Sequence, residues 1–494
     1  MTDARANICE AFLSSAANAP DKVAVIDGQR ALTFREYAGA ALSVARALEE
    51  RREAERVGLL LPTSAAFAIT FFGTGLSGRV PVPLNFLLTA EELSAVIEDS
   101  GARTVITTRY FEEMARGLGK DVLFAEEFIP AALAGGTARP KEANPVAVIP
   151  YTSGTTGVPK GVVLSHRNVL ANVRGCVEHF NFTSDNVLLG IMPFFHTFAL
   201  TTTLVLPAAI GARIVLMPRF EPAATARAIE EHKVTTVVAV PSMYRAMTRA
   251  LEGRAFDLSS LGLPISGGEP LPEDVFAAYR ERHGITIYEG YGLTETSPVV
   301  AANTPGKAKA GTVGRALPNV EVRAADESGQ DAGINVDGEI LVRAQSVMEG
   351  YLNRPEETTA AISGNAFLRT GDIGRVDEEG YLRITGRKKE MIISAGENIF
   401  PAEIERALGR HPAVAEAAVI GIPDAMRGEA PKAFVVLRDG RSVAEQELKD
   451  FLREHIARYK VPSEIEFRSE FPHGPTGKIL KQRLVRAQGR GGRR

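Results

Sequence analysis

The chain has little cysteine, no excess of one charge sign and no long uninterrupted apolar run. Its 494 residues include only Cys9 and Cys176, which are too few and too far apart for a disulfide framework or a paired-cysteine metal site. We therefore expect a reducing, cytoplasmic environment. The formal net charge of −3 argues against a protein built mainly to hold nucleic acid, which would show a strong basic excess. Its partners are expected to be small molecules.

The sequence also predicts neither a secretory leader nor an integral membrane segment. Residues 1–20 contain an early acid and lack a basic flank before a continuous apolar run. The most apolar long segment, residues 197–218, is broken by Pro207, Gly211 and Arg213, whereas about 20 uninterrupted apolar residues are needed to cross a bilayer. We predict a buried helix followed by a strand there.

Short β-branched runs alternate with helical patterns over most of the length, which is typical of parallel sheets covered by helices. The run TTVVAV (residues 235–240) predicts a strand that ends at Pro241, before a helix. Ser165 has the position of a helix N-cap, with the helix continuing through Val173. The predicted fold class is α/β, with a large N-terminal domain of helix-covered β-sheets.

The pattern changes near Gly371, where two short strands joined by an acidic turn are predicted. A helix from Pro401, two further strands and a helix over residues 443–458 then predict a small α+β unit. We place the boundary so that residues 1–386 form the N-terminal domain and residues 387–494 the C-terminal domain. The final residues, RAQGRGGRR, are expected to be disordered.

A glycine- and hydroxyl-rich stretch, TSGTTGVPKG (residues 152–161), predicts a phosphate site. Its glycines allow successive N–H groups to face one point, its threonines and serine add donors, and Lys160 adds positive charge. It is not a Walker A loop, because Pro159 and Gly161 stand where that motif requires glycine and a hydroxyl residue. Taken alone, the stretch is also compatible with a surface linker.

Four more motifs follow it in order: YEGYGLTET (288–296), RTGD (369–372), GRKKEMIISAGENIFPAEIE (386–405) and PTGKILK (475–481). Together the five motifs closely resemble the adenylate-forming superfamily, in its acyl-CoA synthetase and fatty-acid–CoA ligase branch. The resemblance covers nearly the whole chain. It implies an AMP-forming ligase that makes an acyl-adenylate and pyrophosphate from a carboxylic acid and ATP, after which the thiol of coenzyme A displaces AMP.

The resemblance also implies roles for individual residues. It assigns catalysis to Lys478, Thr294, Glu295 and His196, with Glu295 as ligand of the Mg²⁺ cofactor. It assigns the acyl pocket to Phe194, Phe195 and Phe198, a hinge to Lys389 and the CoA path to Gly396. It assigns ATP binding to Thr152, Ser153, Gly154, Thr155, Thr156, Gly157, Lys160, Gly267, Gly268, Glu269, Tyr288, Glu289, Gly290, Tyr291, Gly292, Asp372 and Arg387.

Several of these positions have a plainer interpretation. Tyr291 is compatible with an ordinary core aromatic, His196 with a packed histidine, and Gly396 with a simple turn glycine. Lys478 is our choice for the adenylation catalyst, because its ammonium can reduce repulsion between the substrate carboxylate and the α-phosphate. In the family, the small domain rotates so that the Lys478 loop serves adenylation and the stretch around Gly396 serves thioester formation.

The identity of the acid is less determined. The apolar stretch around FFHTFALTTTL (residues 194–204) favours a hydrocarbon chain or ring, and no acid between Ile191 and Arg219 is present to pair an amino-acid ammonium. We favour a medium- or long-chain fatty acid over an aryl or alicyclic acid. A carrier protein as thiol acceptor and a homodimer stay open. A binding protein that has lost catalysis is disfavoured by the retained motif residues.

Overall fold

The structure is a computed structural model that describes residues 7–49, 55–132, 140–152, 159–251, 256–394, 397–424, 427–472, 479–481 and 483–484. The strands are β1 (Val23–Asp27), β2 (Arg30–Thr33), β3 (Arg56–Leu60), β4 (Val80–Pro83), β5 (Thr104–Thr107), β6 (Asp121–Phe124), β7 (Val146–Val148), β8 (Tyr151–Thr152), β9 (Lys160–Ser165), β10 (Val187–Gly190), β11 (Arg213–Leu216), β12 (Thr236–Ala239), β13 (Leu263–Ser266), β14 (Tyr288–Gly292), β15 (Val299–Ala302), β16 (Arg315–Ala316), β17 (Val320–Ala325), β18 (Gly338–Ala344), β19 (Gly350–Tyr351), β20 (Leu368–Val376), β21 (Leu382–Arg387), β22 (Ile392–Ser394), β23 (Glu397–Ile399), β24 (Val414–Asp424), β25 (Gly428–Leu437) and β26 (Glu464–Arg468). The helices are α1 (Ile8–Asn18), α2 (Phe34–Glu49), α3 (Ala65–Leu76), α4 (Ala90–Ser100), α5 (Glu112–Gly117), α6 (Ala125–Ala132), α7 (His166–Phe180), α8 (Thr197–Ala199), α9 (Leu206–Ile210), α10 (Pro222–His232), α11 (Pro241–Ala250), α12 (Glu273–His283), α13 (Pro355–Ala361), α14 (Pro401–Gly409) and α15 (Glu445–His455).

The largest sheet has nine strands in the order β16-β15-β14-β13-β12-β10-β11-β1-β2. The strands from β14 to β1 pair in parallel, whereas β2, β15 and β16 are antiparallel to their neighbours. Strand β12 is buried along its whole length, as a parallel strand covered on both faces should be. The predicted strand and the helix after it are therefore confirmed as β12 and α11.

Three smaller sheets complete the N-terminal part. One is parallel, in the order β4-β3-β5-β6, and two are antiparallel, in the orders β17-β18-β20-β21 and β19-β9-β7. Strand β8 also pairs with β9. The predicted pair of strands with an acidic turn is β20 and β21.

Local sequence explains where α7 begins and ends. The Ser165 hydroxyl accepts the Asn168 N–H at 3.2 Å, and the Asn168 side-chain oxygen accepts the Ser165 N–H at 2.8 Å. This reciprocal capping box satisfies two N–H groups that a helix start leaves unpaired. The helix stops where Asn181 adopts a left-handed conformation. Ser165 is thus the N-cap, as predicted.

The apolar segment after β10 is a buried helix followed by strand β11, also as predicted. Its helix contains a π-helical turn at Leu200–Val205 between α8 and α9. The Thr202 hydroxyl donates to the Phe198 carbonyl at 2.6 Å, and the Thr203 hydroxyl donates to the Ala199 carbonyl at 2.8 Å. Of the helices within the described ranges, none is both long and apolar enough to traverse a bilayer.

The C-terminal part has its own sheet and its own cores. The sheet order is β23-β22-β25-β24, with β26 paired in parallel to β25, and α14 and α15 pack on it. Its main apolar cluster begins at Ile392 and includes Ile404, Leu408 and Leu452. The structure therefore confirms the α/β class with a large N-terminal and a small α+β C-terminal part. The position of the boundary at 386/387 stays a prediction.

Gly314, in the connection between β15 and β16, is a position where the backbone conformation and close packing both require glycine. Gly314 has φ +85°, and a Cβ there would lie 1.9 Å from the carbonyl carbon of Ala302. We expect Gly314→Ala to lower the free energy of unfolding by about 2–5 kcal/mol, because left-handed strain adds to a backbone clash. The urea midpoint of unfolding measures this effect.

Gly306 is the matched control. It has φ +74°, but nothing lies within 4 Å of the place that an added Cβ would occupy. Gly306→Ala should cost only the left-handed strain, about 1–2 kcal/mol. Equal midpoints for the two variants would contradict the packing argument.

Candidate active site

Loops from several parallel strands converge on one edge of the nine-stranded sheet. Residues 191–196 follow β10, residues 267–272 follow β13, and residues 293–298 follow β14, and all three strands run in the same direction. The carboxyl ends of parallel strands are where α/β sheets bind ligands. Most of the described site residues that were predicted from sequence lie on these loops or on the strands that end there.

Asp372 is the most completely engaged of these side chains. It is 3% exposed, accepts the Tyr291 hydroxyl at 2.6 Å and pairs with the Arg387 guanidinium at 2.9 Å. Asp372 and Arg387 are cross-strand partners on β20 and β21, whereas Tyr291 comes from β14 of the large sheet. A buried carboxylate is stable only when it is paired in this way. The cluster therefore joins two sheets at one acid.

The charge of Asp372 also raises the pKa values of its partners, Tyr291 and Arg387. Burial and the neighbouring Asp372 charge raise the pKa of the Tyr291 hydroxyl well above its ordinary value, so Tyr291 stays a neutral donor. Burial alone would lower the pKa of Arg387, but the charges of Asp372 and Glu390 outweigh it and raise the pKa. Tyr291 is thus partly buried, as a core aromatic would be, and is also hydrogen-bonded into the site.

Glu289 is a second acid on β14. Its carboxylate accepts the Leu271 N–H at 3.1 Å. Burial raises its pKa from 4.5 to about 7, while that N–H and the charge of Arg406 on α14 act in the opposite direction. Because the folded-state pKa is the higher one, the stability that protonated Glu289 contributes is present below about pH 4.5. It is lost as the pH rises through about 7.

Two glycines on this edge are required by close packing. A Cβ on Gly267 would lie 2.9 Å from the Phe198 ring, and a Cβ on Gly292 would lie 2.0 Å from the Pro298 carbonyl oxygen. Gly268 has φ +85°, a conformation that favours glycine. Glu269 follows on the same loop, while Gly290 pairs with β15 and Tyr288 is 9% exposed in the core.

A second group of charged residues lies where β9, β19 and the turn after β14 meet. Lys160 begins β9 opposite Thr152 of β8, and its ammonium pairs with Glu357 on α13. Thr294 and Glu295 lie in the short 3₁₀ turn Thr294–Thr296. The Glu295 carboxylate accepts the Tyr351 hydroxyl at 2.8 Å.

Of the predicted acyl-pocket residues, Phe194 and Phe195 lie on the loop after β10 and Phe198 lies in α8, and we call these three aromatic side chains the aromatic wall. Phe194 is 1% exposed and packs on Phe67, with ring centroids 5.2 Å apart. Phe195 is 5% exposed and contacts the Phe86 ring at 5.1 Å and the His196 ring at 4.5 Å. These contacts place His196 beside an aromatic ring, at the start of the helix that carries Phe198.

The predicted hinge residue, Lys389, lies in the 3₁₀ turn Lys388–Glu390, directly after Arg387. Burial and repulsion from Arg387 lower its pKa. On one side of it, Lys388 donates to Glu339 at 3.2 Å, and on the other side Glu390 accepts Lys481 at 3.1 Å. The turn is therefore bonded to both parts of the chain.

Some predicted residues lie outside the described ranges. These are Ser153, Gly154, Thr155, Thr156 and Gly157 of the phosphate stretch, Gly396 and Lys478. Three groups of contacts stand out among the site residues that the structure does describe. Asp372, Arg387 and Tyr291 are in direct contact, Lys160 and Glu295 share Tyr351 as a neighbour, and the phenylalanines form the aromatic wall.

Sequence reasoning missed Tyr351 and Glu357. Both belong to GYLNRPEET (residues 350–358), which contains proline and asparagine and has no catalytic pattern. They reach the site only because β19 pairs with β9, which places Tyr351 opposite Val162. A contact between segments so distant in sequence has no local sequence signature.

Comparison with known proteins agrees with this geometry. The family model described as "AMP-binding enzyme" matches residues 12–352, and the model described as "AMP-binding enzyme C-terminal domain" matches residues 403–478. Together they span the large sheet from β1 to β16 and the strands β24, β25 and β26 of the C-terminal sheet.

Three similar proteins illustrate the match. A long-chain-fatty-acid–CoA ligase of Bacillus subtilis (strain 168) is 35% identical, over 95% of this chain and 92% of its own. A feruloyl-CoA synthase of an Amycolatopsis species is 37% identical, over 95% of this chain and 96% of its own. The crystal structure of ATP-bound MatB from Rhodopseudomonas palustris superposes with a TM-score of 0.90 at 29% identity, covering 98% of this chain and 99% of that one. The chain therefore belongs to the AMP-binding enzyme family, in the acyl-CoA synthetase branch of the adenylate-forming superfamily.

Proposed function

We propose that the acid activated by this acid–CoA ligase is a medium- or long-chain fatty acid. The ligase class, with ATP and CoA as co-substrates, follows from the family. The finer assignment of the acid is supported chiefly by the aromatic wall after β10. Phe194 and Phe195 are almost completely buried, and residues 191–219 contain no carboxylate. Such a wall suits an apolar acyl group, and it offers no carboxylate to pair with an ammonium group on the substrate.

The nucleotide end of the site supports the activation step. We assign Asp372 to the ribose hydroxyls, because its carboxylate is already fixed by Tyr291 and Arg387 and needs no rearrangement to accept them. Arg387 then adds a positive charge close to the sugar and phosphates. Lys160 and Thr294 are assigned to the phosphates, together with the stretch at residues 153–157.

Mg²⁺ is compatible with the residues at the phosphate end. Glu295 presents a carboxylate on a turn beside Lys160's partner Tyr351. Magnesium prefers hard oxygen ligands, and with nucleotides it takes one or two carboxylates plus phosphate oxygens and water. When bound, it would neutralise phosphate charge. Glu295 is the residue that we assign to hold it.

We assign the two half-reactions to two different segments of the C-terminal domain, residues 387–494. Lys478 would reduce repulsion between the attacking carboxylate and the α-phosphate, and Gly396 would allow the pantetheine arm to pass close to the backbone. Lys389 would be the point of rotation. The bonds of Lys388 and Glu390 on either side of it fit a hinge, which is a few residues at the end of an element.

An aromatic acid is the second candidate. The Phe198 ring lies so close to Gly267 that a methyl group on that glycine would be 2.9 Å away. A ring in this place shortens the apolar space and favours a flat acid. The aromatic candidate is also the substrate class named for the 37% identical feruloyl-CoA synthase.

Substrate preference distinguishes the two candidate acids. With ATP, Mg²⁺ and CoA, we expect AMP release to be fastest with saturated acids of eight or more carbons, because each buried methylene adds about 0.8 kcal/mol. Hydroxycinnamic and benzoic acids serve as the aromatic arm, and acyl-carrier protein in place of CoA tests the other acceptor. Faster turnover of an aromatic acid would select the second candidate.

Phe198→Ala tests the pocket wall. Removing the ring opens space beside Gly267, so we expect kcat/KM for a long acid relative to a short one to rise about tenfold. The ratio is measured under competing-substrate conditions, and Phe198→Leu is the conservative control. An equal loss for all acids would assign Phe198 to the core instead.

Lys478→Ala tests the division of labour between the half-reactions. We expect the rate of ATP–pyrophosphate exchange to fall about two to three orders of magnitude, because a preorganised charge is lost where the new bond forms. Thioester formation from supplied acyl-adenylate and CoA should be retained, which also serves as the internal control for folding. Equal damage to both reactions would refute the assignment.

A further inference from the structure

Tyr351 stands between two charged residues at the phosphate end of the site. Its hydroxyl donates to the Glu295 carboxylate at 2.8 Å, and its ring lies 5.2 Å from the Lys160 ammonium. One side chain thus contacts a carboxylate through its hydroxyl and an ammonium through its aromatic ring. The phenol hydroxyl is the donor in this hydrogen bond, because an ionised carboxylate can only accept.

The backbone around Tyr351 is bonded to both neighbours. Strand β19 pairs with β9 just beyond Lys160, and the Leu352 N–H donates to the Gly161 carbonyl at 2.8 Å. The Met348 N–H donates to the Glu295 carbonyl, also at 2.8 Å. The Tyr351 N–H donates to the Thr358 hydroxyl at 2.9 Å. The ring therefore has a defined position relative to both charged residues.

We propose that Tyr351 is a positioning residue that holds the Glu295 carboxylate and the Lys160 ammonium in a fixed relation for the metal–triphosphate group. The inference rests on the proposed nucleotide site. The hydroxyl orients the carboxylate through Oε1, and the ring supports the ammonium by a cation–π contact.

Glu357 provides a competing account of the Lys160 position. Its carboxylate forms an ion pair with Lys160 and lies within 3.7 Å of Arg354. In our proposal, Glu357 pairs with Lys160 only until nucleotide binds, when phosphate oxygens displace it. Tyr351 stays in contact with Lys160 in both states. The two accounts predict opposite effects when the Glu357 charge is removed.

The test measures binding of a fluorescent ATP analogue, mant-ATP, to the full chain, with Mg²⁺ titrated or chelated by EDTA. For Tyr351→Phe we expect the Mg²⁺ concentration at half-saturation to rise about three- to tenfold, because a hydrogen bond to a charged group is lost. Its Kd for mant-ATP in EDTA should change less than about twofold, since the ring is kept. Tyr351→Leu should weaken binding about tenfold even in EDTA.

Two further variants make the result specific. Tyr381→Phe is the matched control, because Tyr381 also donates a hydrogen bond, to the Lys307 carbonyl at 2.8 Å, and lies under the Lys309 ammonium at 5.1 Å. It belongs to none of the assigned site groups, so its Mg²⁺ response should match the wild type. Glu357→Gln should bind mant-ATP as tightly as the wild type or up to about threefold more tightly, because a competing carboxylate is removed.

The outcomes distinguish failure of the positioning role of Tyr351 from failure of the proposed nucleotide site. If Tyr351→Phe shifts the Mg²⁺ response no more than Tyr381→Phe, the positioning role of the hydroxyl is wrong while the nucleotide site stands. If Glu357→Gln weakens binding as much as Tyr351→Leu, Glu357 and not Tyr351 holds Lys160. If the wild-type chain does not bind mant-ATP, the proposed nucleotide site fails, and the inference fails with it.

Discussion

A single buried carboxylate, that of Asp372, links the large sheet to the antiparallel sheet β17-β18-β20-β21. Through Arg387 it also contacts the end of β21, where the chain enters the C-terminal part. Its pairing with Tyr291 and Arg387 is required by electrostatics, because removing water from an acid is costly unless hydrogen bonds and an opposite charge replace it. The same pairing leaves the acid preorganised for a polar ligand. If Asp372 accepts the ribose hydroxyls, as we propose, stability and nucleotide binding depend on the same few atoms, and a change to any one of the three side chains would affect both.

The C-terminal part meets the N-terminal part through charged side chains. Arg410 pairs with Glu273 at 2.7 Å, and Arg438 pairs with Asp274 at 3.1 Å, which also pairs with Arg245 at 2.6 Å. All of these groups are partly exposed, so each pair contributes little net stability. Polar contacts of this kind are typical of domains that move relative to each other. The arrangement is compatible with a small domain that serves one reaction step in one orientation and another step in a second.

The fold was largely predictable from local patterns. Alternation of β-branched runs with helices indicated the parallel sheet, and Ser165 marked the start of α7 correctly, although its reciprocal partner Asn168 was found only in the structure. The convergence of residues on β14 with the loops after β10 and β13 was also predictable, since parallel strands end at one edge. Family motifs identified Asp372 and Arg387, although only the structure shows that they are cross-strand partners.

What could not be predicted depends on contacts between distant segments. Tyr351 lies opposite Val162 because two short strands pair, and neither strand has a pattern that indicates the other. The π-helical turn at Leu200–Val205 reflects packing inside the core, while its residues alone are compatible with an ordinary helix. The ion pairs of α12 with Arg410 and Arg438 likewise join surfaces whose charges have no distinctive pattern in sequence.

The pairing of β19 with β9 has a consequence for biosynthesis. About 190 residues separate Lys160 from Tyr351, so at roughly 5–20 residues per second the ribosome needs about 10–40 s to make the second strand after the first. During that interval β9 can pair only with β7 and β8, which precede it in the chain. If Tyr351 positions Glu295 and Lys160 as we propose, a nascent chain should consequently form strands β7 to β9 early but bind nucleotide only late. Premature engagement of ATP by an incomplete polypeptide is thereby disfavoured by the order of the chain itself.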